Sequence, residues 1–474
     1  MSAELDVDLC IIGAGSAGLS VAAGAAQLGQ SVVLCEHAHM GGDCLNFGCV
    51  PSKALIAAAK AAQRVRDAGK FGIRAGAPEI DATAVRAHVR GVIAAIEPND
   101  SQARFEGLGV KVLRTHAKFR DARTVEAGDH VIRARRFVVA TGSSPFVPPI
   151  PGLSTTPHVT NETIFELSET PRHLIVIGGG PIGCELAQAH RRLGAEVSIV
   201  EAFTICPKDD PELVAVVRTA LLADGVLINE GAKVKAVAGA AGAITVTLET
   251  KDGERQISGS LLLVAAGRRA NVAGLELEKA GIAYTVKGIT VDSGLRTSNA
   301  RVFAIGDVAG ALQFTHIAGY HAGIVIRRAL FRLPAKASYA AAPWVTYTEP
   351  ELANVGLTEA QARAQHGDIR VARWPFHEND RAQAERETEG FVKIVATPCG
   401  KILGAGIVGP QAGELIQPWV LAMTKGLTMR DMSSMIVPYP TLGEVNKRAA
   451  SAFFTAALFS PRTKWLVRLL SRFG

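Results

Sequence analysis

The sequence contains no stretch of about 20 uninterrupted apolar residues, the length that a helix needs to cross a bilayer. An apolar run opens near Val7, but acidic residues precede it and a glycine loop interrupts it. This run therefore predicts a buried strand and not a signal peptide. We expect a cytoplasmic protein.

Cysteine and aromatic residues are both sparse. Seven cysteines are scattered over 474 residues, and this odd number without a secretory signal argues against an extracellular disulfide framework. In a reducing cytoplasm, a functional cysteine pair is more often catalytic or metal-binding than structural. Aromatic residues make up only 5%, whereas glycine and alanine are abundant, which is typical of an α/β protein.

Positive charge is not concentrated in one block. The formal net charge of +7 is spread along the chain, with arginines near Arg133 and Arg136 and near the C-terminal end. This distribution does not predict a nucleic-acid partner. The length predicts roughly three domains and hence a multidomain enzyme.

One local pattern occurs twice: an apolar strand, a glycine loop and an alanine-rich helix. The glycines are Gly13, Gly15 and Gly18 in the first copy, and Gly178, Gly180 and Gly183 in the second. Such glycines permit a tight turn, close approach of a pyrophosphate and close helix packing, and the helix N-terminus faces the phosphates. The pattern predicts two dinucleotide sites.

A carboxylate ends the next strand in each copy, Glu36 in the first and Glu201 in the second. Each is expected to accept hydrogen bonds from ribose hydroxyls. Glu201 favours NADH over NADPH, because a carboxylate repels the extra 2′-phosphate. The following residues, Ala202 and Phe203, offer no arginine to bind that phosphate.

The segment from Gly41 to Lys53 contains Cys44 and Cys49 ahead of a predicted helix start at Pro51 and Ser52. Two cysteines at this spacing can close a small disulfide loop. A helix N-terminus and the nearby Lys53 both favour the reactive thiolate. The alternatives are half of a zinc site or two inert buried thiols. No second cysteine pair or His–Cys cluster completes a metal site, so no metal is predicted.

This segment resembles the disulfide motif of the class I pyridine nucleotide–disulfide oxidoreductases, which include dihydrolipoamide dehydrogenase, glutathione reductase and mercuric reductase. Further matching pieces are Ala140-Thr141-Gly142, Ala266-Gly267-Arg268-Arg269, Ala304-Ile305-Gly306-Asp307 and the stretch from Pro343 to Gly356. The resemblance implies an α/β fold with two Rossmann-like dinucleotide-binding domains, as in glutathione reductase, and an α+β C-terminal dimerisation domain.

The resemblance also implies a homodimer and a division of the chain. The expected parts are 1–150 for the first part of the FAD-binding domain, 151–272 for the NAD(P)-binding domain, 273–335 for a return to the FAD-binding and central domain, 340–450 for the dimerisation domain, and 451–474 for a basic amphipathic tail.

The resemblance assigns FAD to the first glycine loop and NAD(P)H to the second. It implies that Cys49 faces the flavin, that Cys44 attacks the substrate, and that Glu185 pairs with Lys53. The remaining expected cofactor-binding residues are Lys53, Ala117, Thr141, Gly142, Ser143 and Asp307 for FAD, and Glu185, Val234 and Gly267 for the nicotinamide nucleotide.

The implied reaction passes electrons from NADH through FAD to the Cys44–Cys49 disulfide, and then to an unidentified small-molecule or disulfide acceptor. Three alternatives stay open: dihydrolipoamide dehydrogenase, a mercuric reductase-like metal reductase, and a non-catalytic flavoprotein that acts as a redox sensor.

The sequence departs from the family pattern near its end. Disulfide-reducing members carry a His-Pro pair and a following glutamate as general acid/base, whereas this chain has Tyr439-Pro440 followed by Glu444. A phenol of pKa about 10 is a poor base at neutral pH, unlike an imidazole of pKa about 6.5. Dihydrolipoamide and glutathione turnover are therefore expected to be poor.

A tyrosine at this position is similar to mercuric reductase, where the phenol lies in the metal pocket. That enzyme also has a C-terminal cysteine pair, and the residues after Ser451 contain no cysteine. Tyr439 could equally be a packed residue of the dimer interface.

The tail predicts a short helix with Ser460 as N-cap and Pro461 at its first position. Lys464, Arg468 and Arg472 fall on one face, and Trp465, Leu466, Leu469 and Phe473 gather on the other. Such a helix can lie on the anionic inner face of a membrane. Packing against the protein itself or the dimer partner is the alternative.

The other cysteines are interpreted as packing or surface residues, with Cys10 and Cys35 in strands, Cys184 in the second glycine loop, and Cys206 and Cys399 isolated. His316 and His321 follow Asp307 on a predicted helix, and the two interpretations are contact with the flavin and simple packing.

Overall fold

A computed structural model describes residues 3–310 and 312–473 of the chain. These residues form two compact units. The first unit comprises the chain up to Gly178 together with Ala189–Val200 and Ala232–Ser338. The second comprises Gly179–Gln188, Glu201–Gly231 and the chain from Tyr339 onward.

The strands follow in chain order: β1 (Ala3–Ile12), β2 (Val32–Cys35), β3 (Val110–Leu113), β4 (Ala117–Phe119), β5 (Thr124–Ala127), β6 (His130–Val139), β7 (Ser143–Pro145), β8 (His173–Ile177), β9 (Glu196–Val200), β10 (Leu227–Asn229), β11 (Lys233–Ala240), β12 (Ala243–Thr250), β13 (Gly253–Gly259), β14 (Leu261–Val264), β15 (Arg268–Ala270), β16 (Tyr284–Thr285), β17 (Gly288–Ile289), β18 (Val302–Ala304), β19 (Pro343–Thr346), β20 (Glu351–Gly356), β21 (Arg370–Pro375), β22 (Phe391–Ala396) and β23 (Ile402–Gly409).

The α-helices follow in the same way: α1 (Ser16–Gln27), α2 (Gly42–Asn46), α3 (Cys49–Asp67), α4 (Ala82–Ile96), α5 (Gln102–Gly107), α6 (Pro181–Arg192), α7 (Pro211–Ala223), α8 (Thr315–Ala329), α9 (Glu359–His366), α10 (Asp380–Glu385), α11 (Ala412–Leu415), α12 (Gln417–Lys425), α13 (Met429–Ser434), α14 (Glu444–Leu458) and α15 (Pro461–Leu470). A 3-10 helix covers Gly306–Ala309.

A parallel sheet of order β3-β2-β1-β6 forms the core of the first unit, and β18 also pairs with β6 in parallel. The register aligns the carboxyl ends of these strands, with Ile12 opposite Cys35 and Val139, and Ala304 opposite Val139. Open α/β sheets bind ligands outside this edge. The first glycine loop, Glu36, Thr141 and Asp307 all follow these strand ends, which gives the first Rossmann-like half.

A second parallel arrangement repeats this geometry, with β8 between β9 and β14. Ile177 lies opposite both Val200 and Val264, so the second glycine loop follows an aligned strand edge. A Cβ atom at Gly178 would overlap the carbonyl oxygen of Ala265, as one at Gly13 would overlap that of Ala140. The duplicated sequence pattern thus folds into two Rossmann-like halves, as expected.

The C-terminal part of the second unit contains an antiparallel sheet of order β19-β20-β23-β22-β21. Helices α12, α13 and α14 contribute Trp419, Met429 and Val445 to the core that covers this sheet. The indole Nε1 of Trp419 donates to Asn446 Oδ1 at 2.8 Å, so the buried indole is satisfied. This part is the expected α+β domain.

The tail forms α15 with Ser460 as its N-cap, since the Ser460 hydroxyl accepts from the Thr463 amide at 3.3 Å. None of its residues is buried. Across residues 3–310 and 312–473, the helices are all too short or too polar to traverse a bilayer.

Candidate functional site

The first glycine loop leaves no room for side chains at two of its predicted positions. Gly13 has a φ of +106°, and a Cβ atom at Gly18 would overlap the carbonyl oxygen of Gly13. Gly15 is more open, because a Cβ atom there would approach only Gly42 Cα, at 3.9 Å. Because 3.9 Å is an ordinary van der Waals distance, the loop lies directly against the segment that leads to Cys44.

The start of α1 fits the pyrophosphate of FAD, the dinucleotide that the sequence predicts here. Its N-cap, Gly15, has no side-chain cap and the first turn has no acidic residue, so no side chain competes with an anion for the first N–H groups. Glu36 is held beside them, accepting from the amides of Ala14 and Ala38, both at 2.7 Å. Its carboxylate is thereby fixed beside the start of α1.

The second glycine loop repeats this arrangement. Glu201 accepts from the amide of Gly179 at 2.7 Å and from that of Phe203 at 3.0 Å. Gly180 has open space where a Cβ atom would lie, and Gly183 is on α6. The tightest glycine is Gly179, where a Cβ atom would lie 2.9 Å from Ile205 Cγ2. The segment after Glu201 is thus packed directly against this loop.

Cys44 lies on the short helix α2, and Cys49 is the first residue of α3. Both are free thiols in the structure, Cys44 half-buried and Cys49 exposed. The Cys49 Sγ lies 3.4 Å from the Thr315 Oγ1 at the start of α8. Thr315 was not singled out from the sequence. The one signal that could have found it is its position next to His316 on the predicted helix.

The two thiols have opposite acidities. A hydrogen bond from Cys44, together with Thr315 and the Lys53 ammonium, lowers the pKa of Cys49 to about 6, although desolvation and the Asp43 carboxylate oppose this. The same hydrogen bond and burial raise the pKa of Cys44. Negative charge therefore collects at Cys49, the helix N-terminal thiol, as expected for such a position.

A hydrogen-bond network links the cysteine segment to the expected flavin-binding residues. Arg268 Nη2 lies 3.1 Å from Asp43 Oδ1, and its Nε donates to Ser143 Oγ at 2.8 Å. Ser143 Oγ in turn donates to Asp307 Oδ2 at 2.6 Å. Asn161 adds a second tie to Asp43, at 3.1 Å. Arg268 stood in a motif that resembles the family, yet sequence reasoning gave it no role.

Asp307 follows Gly306, and Gly306 contacts the buried His321. Burial raises the pKa of Asp307, while Ser143 and Arg268 oppose the rise. The Gly306 amide donates to His321 Nδ1 at 3.1 Å, and burial lowers the pKa of His321 to about 4. His321 is therefore a neutral packed residue that supports the Asp307 turn. His316 stacks on Phe314, with ring centroids 5.3 Å apart.

The other expected cofactor residues lie in varied settings. Gly142 and Gly267 have φ values of +69° and +111°, which favour glycine. Ala117 is buried at the start of β4 and pairs with Ala127 of β5. Val234 is half-buried in β11. Thr141 donates to Asn271 O at 2.7 Å.

The expected pair of Lys53 and Glu185 stays a prediction. Lys53 Nζ donates to Ser52 Oγ at 3.4 Å within the first unit. Glu185 Oε1 accepts from the Tyr347 amide at 2.9 Å within the second.

Tyr439 is 69% exposed, and its hydroxyl donates to Asp380 Oδ2 at 2.7 Å. This hydrogen bond raises the pKa of Tyr439, so even less phenolate is present at neutral pH to accept a proton. Glu444 lies at the start of α14, with Arg448 Nη2 at 2.8 Å. Both residues thus have partners within the second unit, and the catalytic role expected for Tyr439 and Glu444 stays a prediction.

The interpretation of Cys206 as isolated is wrong. Its Sγ lies 4.0 Å from the Sγ of Cys184, and both residues are buried. They are 22 residues apart, and only the packing of the segment after Glu201 against the glycine loop brings them together. Cys10 and Cys35 are buried in their strands, and Cys399 is exposed, as predicted.

Comparison with known protein families matches most of the chain. Residues 7–322 match the model of the pyridine nucleotide-disulphide oxidoreductases, and residues 342–450 match the model of that family's dimerisation domain. The mercuric reductase of Streptomyces lividans is 36% identical over 465 residues, which cover 96% of this chain and 97% of that protein. The dihydrolipoyl dehydrogenase of Thermus scotoductus is 37% identical over 464 residues, which cover 95% and 98%.

Solved structures agree with these matches. The Cu(II) complex of the HOCl-induced flavoprotein disulfide reductase RclA from Escherichia coli superposes with a TM-score of 0.84 at 28% identity, covering 94% of this chain and 99% of that one. LpdA from Mycobacterium tuberculosis gives 0.86 at 28% identity, with the same coverage. The chain therefore belongs to the pyridine nucleotide-disulphide oxidoreductase family: it is an FAD-dependent oxidoreductase with a redox-active disulfide, a nicotinamide dinucleotide as electron donor and a dimerisation domain.

Proposed function

We propose that this chain carries electrons from NADH through FAD to a Cys44–Cys49 disulfide, and from the reduced pair to an acceptor that reacts at Cys44. The observation that carries the proposal is the placement of Cys49 as the first residue of α3, with its Sγ 3.4 Å from Thr315 Oγ1 and Cys44 on the preceding helix α2. When bound, FAD supplies the two-electron chemistry that connects a nicotinamide to a disulfide.

The cysteines divide charge and proton between them. Reduction of the Cys44–Cys49 bond takes up two electrons and one proton, and it yields one thiol and one thiolate. The proton stays on Cys44, whose pKa is raised, and the negative charge stays on Cys49, beside Thr315 and Lys53. Cys44 is then the sulfur that meets the acceptor, and loss of two electrons re-forms the bond.

We assign FAD to the parts 1–150 and 273–335. The glycine loop would hold the pyrophosphate, Glu36 the ribose and Asp307 the ribitol, while Arg268 keeps Ser143 and Asp43 in position. The assigned residues are Gly13, Gly15, Gly18, Glu36, Lys53, Ala117, Thr141, Gly142, Ser143 and Asp307. The uncapped start of α1 supports this assignment.

We assign the nicotinamide dinucleotide to the part 151–272, with NADH preferred. Glu201 repels a 2′-phosphate, and Phe203 beside it is 73% exposed and uncharged. The assigned residues are Gly178, Gly180, Gly183, Glu185, Glu201, Val234 and Gly267.

We propose an acceptor that reacts at Cys44 without a protein base to remove the thiol proton. A Cys44 thiol must lose its proton to attack a disulfide, and Tyr439, bonded to Asp380, is poorly suited to take it. This weighs against dihydrolipoamide as substrate. A soft metal ion deprotonates the thiols that ligate it, so its binding requires no neighbouring base.

A metal reductase is therefore the second candidate function. The relatives named mercuric reductase support it, and an ion such as Hg(II) takes up two electrons, the number that one NADH supplies. Against it, the chain after Ser451 contains no cysteine to deliver the ion.

The deciding experiment follows NADH consumption with disulfides, quinones, Hg(II) and Cu(II) as acceptors, with Cys44→Ser as control. The proposal expects one class to be reduced by the unchanged protein and not by Cys44→Ser. In parallel, free thiols are counted before and after anaerobic NADH addition. A count that does not rise would contradict the relay and favour a non-catalytic flavoprotein.

We also propose a homodimer through the part 340–450. Ile436 in that part is 98% exposed, which is unusual for an isoleucine and suits a covered interface. Sedimentation should give a dimer for the unchanged protein and a monomer for Ile436→Glu. Ile73→Glu, at another exposed isoleucine, should remain dimeric. A monomeric unchanged protein would contradict the proposal.

A peripheral membrane contact is proposed for the tail, at the inner face of the membrane. Trp465, Leu470 and Phe473 are all more than half exposed, beside the cations Lys464 and Arg468. Full-length protein should float with phosphatidylglycerol vesicles and not with phosphatidylcholine vesicles, and truncation after Ser460 should abolish flotation. Equal flotation of the full-length and truncated proteins would contradict the proposed membrane contact.

A further inference from the structure

A pair of cysteines that the reaction does not use lies against the second glycine loop, with Cys184 on α6 and Cys206 in the segment after Glu201. The Sγ atoms of Cys184 and Cys206 lie 4.0 Å apart; the Cys206 thiol donates to the Cys184 sulfur, and no disulfide joins them. Both side chains are almost fully buried, with exposed fractions of 0% and 1%. Each thiol is therefore the nearest reaction partner of the other, and each is protected from larger thiol reagents.

Both cysteines contact one carbonyl group of the loop. The Cys184 thiol donates to the Gly179 carbonyl oxygen at 3.3 Å, and the Cys206 amide donates to the same oxygen at 2.9 Å. The amide of Gly179 donates in turn to Glu201 Oε2 at 2.7 Å. Gly179 thus connects the cysteine pair to the carboxylate that is proposed to hold the NADH ribose.

The segment between Glu201 and Cys206 has little freedom to move independently. It packs so closely on Gly179 that a Cβ atom there would lie 2.9 Å from Ile205 and 3.1 Å from Glu201 Cβ. Cys206 itself has a φ of +44°, a left-handed conformation that a non-glycine residue adopts only where the surroundings impose it. A displacement of the Cys206 backbone is therefore transmitted to Glu201 and Gly179.

We propose that Cys184 and Cys206 form a second, reversible disulfide that weakens dinucleotide binding at this loop. A peroxide oxidises one thiol to a sulfenic acid with release of water, and the other thiol then displaces a second water as the S–S bond forms. The two thiols lose two electrons and two protons in total. A low-molecular-weight dithiol reverses the change by exchange.

Bond formation must distort the loop, which is why binding should weaken. The Sγ–Sγ separation has to fall from 4.0 Å to about 2.05 Å. The Cys184 hydrogen bond to Gly179 is lost with its proton, and Cys206 has to approach α6. We expect NADH affinity to fall about fivefold or more, the lower range of coupling between linked sites. This consequence rests on the proposed function of the loop.

Cys184 and Cys206 should be oxidised slowly by peroxide. The pKa of Cys184 is raised by its hydrogen bond with Cys206, by burial, and by the nearby carboxylates of Glu185 and Glu201. Little Cys184 thiolate is therefore present at neutral pH. The Cys44–Cys49 pair, with its acidic Cys49, should be oxidised first. The second disulfide would then form only under sustained oxidation.

The test uses full-length protein carrying Cys44→Ser and Cys49→Ser, so that NADH binds without being consumed through that pair. The protein is treated with hydrogen peroxide, remaining thiols are alkylated, and peptides are mapped by mass spectrometry. The dissociation constant for NADH is measured by titration before and after. Cys206→Gly, which suits the left-handed backbone, and Cys184→Ala remove the pair, and Cys399→Ser is the matched control.

The expected result is a dithiothreitol-sensitive link between the peptides of Cys184 and Cys206, with weaker NADH binding. Both effects should vanish in Cys206→Gly and Cys184→Ala and persist in Cys399→Ser. Separate alkylation of both cysteines after peroxide would overturn the proposal, and a link that leaves NADH affinity unchanged would overturn its regulatory part. If the reduced protein binds no NADH at all, the proposed function fails, while the peptide link still decides whether the second disulfide exists.

Discussion

Thr315 and Cys49 are 266 positions apart in the chain, and their Oγ1 and Sγ atoms lie 3.4 Å apart. The hydroxyl sits at the start of α8, and the thiol sits at the start of α3. A hydrogen bond to a thiolate is stronger than one to a thiol, so Thr315 stabilises the charged form of Cys49.

Replacing this hydroxyl should make Cys49 less acidic. In Thr315→Val we expect the pKa of Cys49 to rise by about half to one unit, because an exposed hydrogen bond to a charged group contributes roughly 1 kcal/mol. Thr315→Ser should retain the acidic thiol. The pH dependence of Cys49 alkylation in reduced protein measures the difference, and equal profiles for Val and Ser would contradict the assigned hydrogen bond.

The reduced pair should also show a marked pH dependence. The pKa of Cys49 is lowered to about 6, so its alkylation by iodoacetamide should be fast at neutral pH and should fall as the pH drops through about 6. Because this pKa is below that of an unfolded thiol, the stabilisation from the thiolate is present above the unfolded value and is lost as pH falls through about 6. Cys44 should react slowly throughout, and faster labelling at Cys44 would reverse the assignment.

Arg268 should be important for the geometry of the cysteine segment. Arg268→Met leaves Asp43 and Ser143 without their shared partner, at a cost of about 2 kcal/mol in a half-buried site. We expect a lower flavin content after purification and a higher pKa of Cys49, because the Asp43 carboxylate is no longer neutralised. Arg269→Met, at the exposed neighbouring position, should behave like the unchanged protein in both measurements.

Glu201 should set the choice of dinucleotide. Glu201→Ala removes a charged acceptor for the ribose, so kcat/KM for NADH should fall about tenfold, and the ratio of NADPH to NADH activity should rise. Glu196→Ala, at an exposed glutamate of the same strand, is the control. Dissociation constants from direct titration would separate binding from turnover. A variant with an unchanged preference would show that Glu201 does not face the 2′-position.

We expect low activity with dithiol substrates because Tyr439 stands where a histidine base is needed. Tyr439→His introduces an imidazole of suitable pKa, and NAD reduction with dihydrolipoamide should rise at least about tenfold. Tyr439→Phe should leave that activity low, since the phenol bonded to Asp380 is not acting as a base. Rapid dihydrolipoamide turnover by the unchanged protein would refute this account.

Local patterns made the fold predictable. Each strand–glycine loop–helix pattern encodes its own geometry within about 30 residues, so both Rossmann-like halves and the packing reasons for Gly13 and Gly18 followed from spacing. The start of α15 at Pro461 was equally readable, because Ser at the N-cap and Pro at the first position are local signals.

The partners of the site residues were not predictable in this way. Arg268 reaches Asp43, and Cys206 reaches Cys184, only because remote segments pack together. Spacing along the chain carries no information about such approaches, which is why Cys206 was interpreted as isolated and Arg268 was given no role.

The sequence by itself determined that two glycine loops, a carboxylate after the next strand in each copy and one cysteine motif are present, because each is a short pattern whose backbone geometry is local. Only the tertiary structure decided that Thr315 lies beside the Cys49 thiol, what holds Asp43, and that a second thiol pair lies beneath Gly179. Those properties arise from hydrogen bonds and burial between segments far apart in the chain, and packing alone fixes such contacts.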